Sequence, residues 1–430
     1  MKPSTGATAF ALAMALFIGL GGGLHAQNSS DLFNSQVVHR IDLEMHSSDW
    51  ARLKDHFKEN EYYPVDVTWN GQTIYNVGVR SRGVASRSGT KPALKLAFDR
   101  YSSSQRFLGL KSLVLDNLVQ DASGVHETAA SWFFSRLGIM APRAAHAVVY
   151  VRGEYAGLYA MIEPVDKTML ARLFGSVGDD VQNNGYLYEF NKVAVWRLSY
   201  LGDELEPYKA YFEAKTHETK SDEEVYRPVE ELVRLINETP SSSLTETLGP
   251  LLDLPGLIRY LAVQNFLGEN DGFVGQWGMN NFYLYRPENK RQHVLIAWDD
   301  DLSFTAPTYD VFSYHDSNVL MRKMMEVPQL RTLYLSTLRD AAVSAAEVVP
   351  ESSLGSLEGE IRRELELVDT AMRADTAKPY TEIEIQTADD LMRQYAPERV
   401  TYVLCAIGKL TGTGACAPEP SRATSLPRRP

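Results

Sequence analysis

Between Glu269 and Phe304 the chain reads ENDGFVGQWGMNNFYLYRPENKRQHVLIAWDDDLSF, with Asp271 upstream, Asn280 and Asn281 in the middle and Asp299, Asp300 and Asp301 near the end. Carboxylate and amide oxygens of this kind suit hard cations such as Mg²⁺. Residues 281–286 and 292–298 are rich in aromatic and β-branched types and flank Pro287-Glu288-Asn289-Lys290, a pattern that predicts strand, turn and strand. A hairpin returns the chain to its start, so the two asparagines should lie near the three aspartates. Three clustered aspartates repel one another unless a cation neutralises them. A solvated acidic turn is the plain alternative, and Trp298 and Phe304, which favour burial, weigh against it.

A second set of chemical groups lies earlier. Residues 77–99, VGVRSRGVASRSGTKPALKLAFD, carry Arg80, Arg82, Arg87, Lys91 and Lys95 among glycines and serines. Such a loop can surround phosphates with backbone N–H groups and cations, or be a solvated loop. In the strand that follows, Leu94, Leu96 and Phe98 share one face and Ala93, Lys95 and Ala97 the other, which leaves Lys95 pointing towards open space. Glu127 sits in the first turns of a helix predicted over 121–137 and ended by Gly138. Glu163 closes the segment Met161-Ile162-Glu163-Pro164 at a strand end.

These groups need a scaffold, and the chain is long enough to supply one. Its 430 residues, 44% hydrophobic and 23% charged, suit a soluble globular protein with one large or two fused domains. The formal charge of −12 offers no broad basic surface, which argues against nucleic acid and anionic membranes as partners. Met1 to Ala26 resembles a secretory signal: Lys2, an apolar run from Ala7 to Leu20, and a small-residue end at Leu24-His25-Ala26. The run is short for a spanning helix and is followed by Gly21-Gly22-Gly23, and no other stretch could cross a bilayer, so no stable membrane insertion is expected after cleavage. Export to an oxidising compartment makes a disulfide the plain reading of Cys405 and Cys416.

Along the remaining chain, Val37–Met45 alternates like a strand, and Asn70-Gly71 and Arg152-Gly153 mark two hairpins. The front, residues 27–165, is therefore expected to be β-rich and nucleotide-binding. Residues 166–417 are expected to be mainly helical and to carry the catalytic and metal residues. Helical patterns cover 223–237, 255–267, 319–325, 329–343, 357–372 and 389–404. Residues 203–224 read as an insertion or lid, and residues 418–430 as a disordered tail.

A lysine strand, a helix with a glutamate, a hairpin ending in Ile-Glu-Pro, and a later Asp, Asn, Asp series follow the order of kinase parts. The G-x-G-x-x-G, V-A-I-K, H-R-D and D-F-G strings are all missing, which excludes an ordinary protein kinase. H-E-x-x-H and G-x-S-x-G are missing too, which disfavours hydrolases.

The chain resembles the CotH kinase family, atypical secreted or surface-linked kinases named for a spore coat protein H. The resemblance runs from about Val37 to about Val403. It rests on VGVRSRG and KPALKLAFD, on LGIMAPRAAHAVVYVRGEYAGLYAMIEPVDK at 137–167, on NDG around Asp271, on NNFYLY, and on AWDDDLSF. It implies an α+β fold, two-lobed and kinase-like, that uses ATP with Mg²⁺ or Mn²⁺ to phosphorylate serine or threonine of an exported protein. By motif, Asp271 would be the catalytic aspartate, Asp299 and Asn281 metal ligands and Asp301 a second acid. By position, Lys95 would contact phosphates, with Arg82 in the loop around them, Glu127 as the lysine's helix partner and Met161–Glu163 along the adenine. Ala297 stands where the family usually has proline, and the nine residues between Asp271 and Asn281 exceed the usual spacing, which leaves Asn280 as an alternative ligand. A surface binding protein that keeps only the cation site is the second hypothesis.

Overall fold

A computed structural model describes residues 27–177, 180–350 and 352–412. The expected signal segment, the tail and Cys416, one end of the expected disulfide, lie outside the described residues.

Seven strands close into a barrel: β1 (Val38–Glu44), β2 (Tyr63–Trp69), β3 (Gln72–Ser81), β4 (Leu94–Ala97), β5 (Ser112–Asp116), β6 (Ala144–Val151) and β7 (Glu154–Ile162). Their order is β1-β2-β3-β4-β5-β7-β6, and β6 returns to β1 in the single parallel pairing. Both sequence-marked hairpins are present. Asn70 and Gly71 have φ of 46° and 79°, and Arg152 and Gly153 have 55° and 79°, the left-handed pair that a two-residue turn matched to strand twist requires. Strand β5 escaped the sequence reading because all five of its residues are buried, which erases alternation.

Leu94, Leu96 and Phe98 fill the barrel interior with Val65, Val67, Trp69 and Tyr159. The outer face of the wall belongs to a second, larger core: Val114, Leu158, Ala160 and Ile162 pack with the helical half. The helix His126–Arg136 sits in that seam, where Phe133 stacks on Phe266 with ring centroids 5.4 Å apart.

A two-stranded ribbon, β8 (Ser176–Val177) and β9 (Asp180–Val181), precedes a four-stranded sheet of order β11-β10-β12-β13. Its strands are β10 (Tyr186–Phe190), β11 (Phe212–Ala214), β12 (Phe282–Arg286) and β13 (Val294–Ala297). The expected lid over 203–224 is instead built into the fold. It supplies edge strand β11 and a short helix, Glu206–Tyr211, and Tyr208 and Phe212 are buried in the large core. The helices Asp222–Glu238, Leu254–Phe266, Val319–Glu326, Pro328–Ala346, Ser356–Ala374 and Glu382–Thr411 complete the back half. Among the described residues no helix is long and apolar enough to cross a membrane.

One buried ion pair ties the halves together. Lys91 Nζ lies 2.6 Å from Asp375 Oδ2 at the end of the Ser356–Ala374 helix, and the same carboxylate accepts the N–H groups of Leu158 and Ala377. Gly157 passes so close that a Cβ there would stand 2.5 Å from the Asp375 Oδ2, at a φ of +133°. Lys91 is therefore a structural cation, removed from any phosphate.

Candidate active site

The β12–β13 register sets Phe282 opposite Ala297, which brings the segment before β12 against the acidic turn after β13, as the hairpin predicts. Asp299 opens that turn in the left-handed region, φ 59°, and Asn281 stands at φ 55°.

Asp271 lies five residues beyond the helix Leu254–Phe266, and the end of that helix is held firmly. Arg399, fully buried on the Glu382–Thr411 helix, donates to the carbonyls of Asn265, Phe266, Pro307 and Tyr309 and to Asn265 Oδ1. Carbonyls at a helix C-terminus otherwise lack partners, so this guanidinium fixes where the following loop starts. Gly268 (φ +67°) then turns the chain, and Gly272 lies directly over the Gln264 amide, 2.2 Å from where a Cβ would stand.

Both oxygens of Asp271 are engaged. Lys192 Nζ lies 2.9 Å from Oδ1, and Asn280 Nδ2 donates to Oδ2 at 2.9 Å. The Asn281 side chain makes no hydrogen bond to any described residue, so its amide oxygen is open to a ligand, while the Asn280 Nδ2 group is taken up by Asp271. Lys192 follows β10, 79 positions before Asp271, and no local pattern marks it.

Arg82, just after β3, lies beside the acidic turn. It lies 3.6 Å from Asp116 Oδ2 and over the Trp298 ring at 5.6 Å. Burial opposes its charge, and the carboxylates of Asp299 and Asp116 outweigh that opposition, so its pKa sits above the ordinary value. Lys95 faces outward as expected, but at the rim. There it helps Lys215 and Asn191 bring Glu213 below its ordinary pKa, against the effect of burial. Lys215 bridges Glu189 at 2.6 Å and Glu213 at 2.7 Å.

Two expected roles change. Glu127 does not pair with Lys95; its Oε2 accepts the Asp300 N–H at 2.6 Å, so the helix grips the acidic turn directly. Glu163 is 1% exposed and fully spent on Arg143 and Arg172, while its own N–H donates to Arg143 O. It anchors the end of β7 and leaves nothing for a nucleotide. Arg80 and Arg87 likewise serve the loop, bound to Tyr62, Asn60, Phe57 and Glu59.

The site holds more acidic side chains than basic ones. Asp116, Glu127, Glu269, Asp271, Asp299, Asp300 and Asp301 gather around two cations, Arg82 and Lys192. Burial pushes Asp299 up to about 6, with Asp116 and Asp271 adding to the shift and Arg82 opposing it. Glu127, Asp300 and Asp301 stand well above the carboxylate range, from burial first and then from nearby carboxylates: Asp300 and Asp299 for Glu127, Glu269 and Asp299 for Asp300, and Asp299 and Asp116 for Asp301. The buried Asp300 Oδ1 has no hydrogen-bond partner. Unshared carboxylate oxygens in such a field fit a divalent cation. Among the described residues no three acidic, histidine or cysteine side chains form a ready cage. That suits an ion which takes most of its ligands from phosphates and water, as Mg²⁺ does.

The model of the family described as CotH kinase protein matches residues 79–403. The chain belongs to the CotH kinase family. The match starts within β3, so β1 and β2 precede the CotH region even though they complete its barrel. Inner spore coat protein H of Bacillus subtilis (strain 168) is 24% identical over 305 residues, covering 68% of this chain and 78% of that protein. Two solved structures align at lower similarity. The Helicobacter pylori proinflammatory kinase CtkA is 10% identical, covers 74% of this chain and 95% of its own, and has a TM-score of 0.31. HipA of Shewanella oneidensis MR-1, in a complex with HipB and operator DNA, is 12% identical with coverages of 76% and 67% and a TM-score of 0.35. Neither score is high enough to bear on this CotH site, which rests on its own geometry and on the family match.

Proposed function

We propose that this protein transfers the γ-phosphate of ATP to a serine or threonine hydroxyl of an exported protein, with Mg²⁺ or Mn²⁺ as cofactor. The observation that carries the reading is the meeting of Asp271 with Asn280 and Lys192 on one side of the β12–β13 hairpin, and of Asp299 with Arg82 on the other. The family match supports the kinase class, and the N-terminal apolar stretch supports export.

Phosphoryl transfer needs positioning and charge stabilisation more than covalent chemistry. Asp271 accepts the proton of the acceptor hydroxyl, with Asn280 fixing the carboxylate plane and Lys192 holding it at the cleft edge. Arg82 supplies the fork that binds phosphate oxygens. Asp299, Asp301 and Asn281 would hold the cation, which would supply neutralisation of the phosphate charge. Glu127, through the Asp300 N–H, keeps the acidic turn in place.

Incubation with radiolabelled ATP, Mg²⁺ or Mn²⁺ and a serine-rich acceptor should label the acceptor, and EDTA should abolish the label. A protein that binds the cation, yet neither binds ATP nor labels any acceptor, would be the surface binding protein instead.

A further inference from the structure

Glu269 is buried, 2% exposed. Its Oε1 accepts the backbone N–H of Asp271 at 2.5 Å, and its Oε2 accepts the hydroxyl of Ser303 at 3.0 Å. One side chain thus bridges the loop that carries the base to the turn that opens with Asp299. A second bond runs beside it, Phe304 N–H to Leu267 O at 2.6 Å, so the two segments are joined at both edges.

An ionised carboxylate is an expensive way to satisfy two donors in this place. Burial, together with the charges of Asp271 and Asp299, pushes Glu269 up to about 7 even though both donors favour its anion. A buried acid without a counterion costs stability, and a chain folding only for stability would satisfy a hydroxyl and an amide with a neutral group. What the carboxylate provides is geometry: two strong acceptors at a fixed spacing, one taking the Asp271 loop and one the turn that holds Asp299.

We infer that Glu269 is a positioning residue that sets the Asp271 carboxylate in register with the Asp299 turn, and that phosphoryl transfer depends on it without its touching substrate. The inference rests on the phosphotransferase reading. Misplacement of a reacting group by about 1 Å can cost about 100-fold in rate, and Asp271 is the group that would drift.

The test uses the mature chain with ATP, Mg²⁺ and casein as a generic acceptor. Glu269→Gln keeps the shape but turns one acceptor into an NH₂ donor. Its kcat should fall about 10- to 100-fold, while KM for ATP stays within about twofold because Arg82 and Asp299 are untouched. Amide exchange at Asp271 should quicken at least about tenfold. Ser303→Ala should lower kcat less, and the double variant should be no slower than Glu269→Gln alone, since both act on one bridge. A Glu269→Gln protein that melts lower but retains its kcat, or one whose Asp271 amide exchanges at the wild-type rate, overturns the inference. If Glu269→Gln fails to fold, Ser303→Ala decides: unchanged kcat and exchange overturn it. A wild type that transfers no phosphate overturns the phosphotransferase reading and this inference together, so the two failures are told apart by the wild-type arm.

Discussion

Lys192 Nζ sits 2.9 Å from Asp271 Oδ1, on the chain segment that follows β10, the strand paired with β12. Hydrogen bonds zip that segment to the loop after Asp271: Met279 N–H donates to Trp196 O, and Arg197 donates to the carbonyls of Gly275 and Gln276. The ammonium also lies 5.5 Å from the centre of the Trp277 ring. The cation beside the base is thus part of a built structure, delivered by the residues just after β10. Lys192→Met should lower kcat about 100-fold or more, a loss of the size seen for one electrostatic group at a reacting centre. Lys192→Arg should recover part of it. Steady-state kinetics with a fixed acceptor check this, and an unchanged kcat in Lys192→Met would remove Lys192 from the mechanism.

Asp271 and Asp299 should fail in different ways. Asp299→Ala removes a cation ligand and so weakens ATP binding at fixed Mg²⁺ as well as abolishing transfer. Asp271→Ala should leave ATP binding within about threefold and still remove transfer, because a base acts only after the nucleotide is in place. Calorimetric ATP titrations beside a transfer assay separate the two, and equal ATP affinities in both variants would contradict the assignment.

The positions of Arg82 and Lys95 reverse the order of importance that the sequence suggests. Arg82 is at the inner acidic cluster and Lys95 at the rim near Glu213. Arg82→Ala should reduce ATP affinity about 100-fold, in line with about 2–5 kcal/mol for truncating one member of a buried charge pair. Lys95→Ala should cost less than about tenfold, as a partly exposed charge does. A Lys95→Ala protein weaker than Arg82→Ala would place the phosphates elsewhere.

Arg399 gives a prediction about stability. Of its five donated hydrogen bonds, three fall on the end of the Leu254–Phe266 helix and two on the carbonyls of Pro307 and Tyr309, so it ties the Glu382–Thr411 helix to the start of the Asp271 loop. Arg399→Met should destabilise by about 3 kcal/mol or more, since five hydrogen bonds made by one buried guanidinium are lost together. Chemical denaturation measures this directly, and a loss below about 1 kcal/mol would show that water replaces the guanidinium.

Two buried histidines predict acid sensitivity. His146 Nε2 donates to Gly124 O and His293 Nδ1 donates to Leu251 O, while the other ring nitrogen of each is buried without a partner. Burial lowers both to about 4, against an ordinary 6.5. Between those values the unfolded chain binds more protons than the folded one, so this contribution is complete above pH 6.5 and is lost as pH falls towards 4. Each gap is worth about 3 kcal/mol. Denaturation curves from pH 7 to 4.5 should show a slope that shrinks by up to one proton in His146→Gln; an unchanged slope would mean that the ring is protonated in the fold.

Local patterns made much of this legible. Asn-Gly and Arg-Gly turns, the alternation around Lys95, and the hairpin that returns Asn280 and Asn281 to Asp299 all depend on residues within a few positions of one another. The remainder depends on residues far apart. Lys192 reaches Asp271, Asp375 claims Lys91, and Arg143 and Arg172 absorb Glu163, and none of these pairings leaves a mark in a short window of sequence. Strand β5 was hidden for a different reason: complete burial on both faces removes the two-residue period, and with it the signal that Asp116 ends a strand beside the site. Glu269 stood in plain view next to the Asn-Asp-Gly string, but its partners are a backbone amide and a serine 34 positions away.

The Lys91–Asp375 pair bears on how a ligand comes and goes. Tilting the barrel away from the Ser356–Ala374 helix would strip a dry ammonium and a dry carboxylate of each other, and the N–H of Leu158 with them. Breaking such a pair costs about 3–5 kcal/mol, and the Gly157 backbone would lose its close fit at the same moment. A wide hinge is therefore a slow route. Lys95 and Glu213, both partly in water, can rearrange without breaking that pair, so ligand exchange is expected past such side chains with the barrel and the Ser356–Ala374 helix still joined.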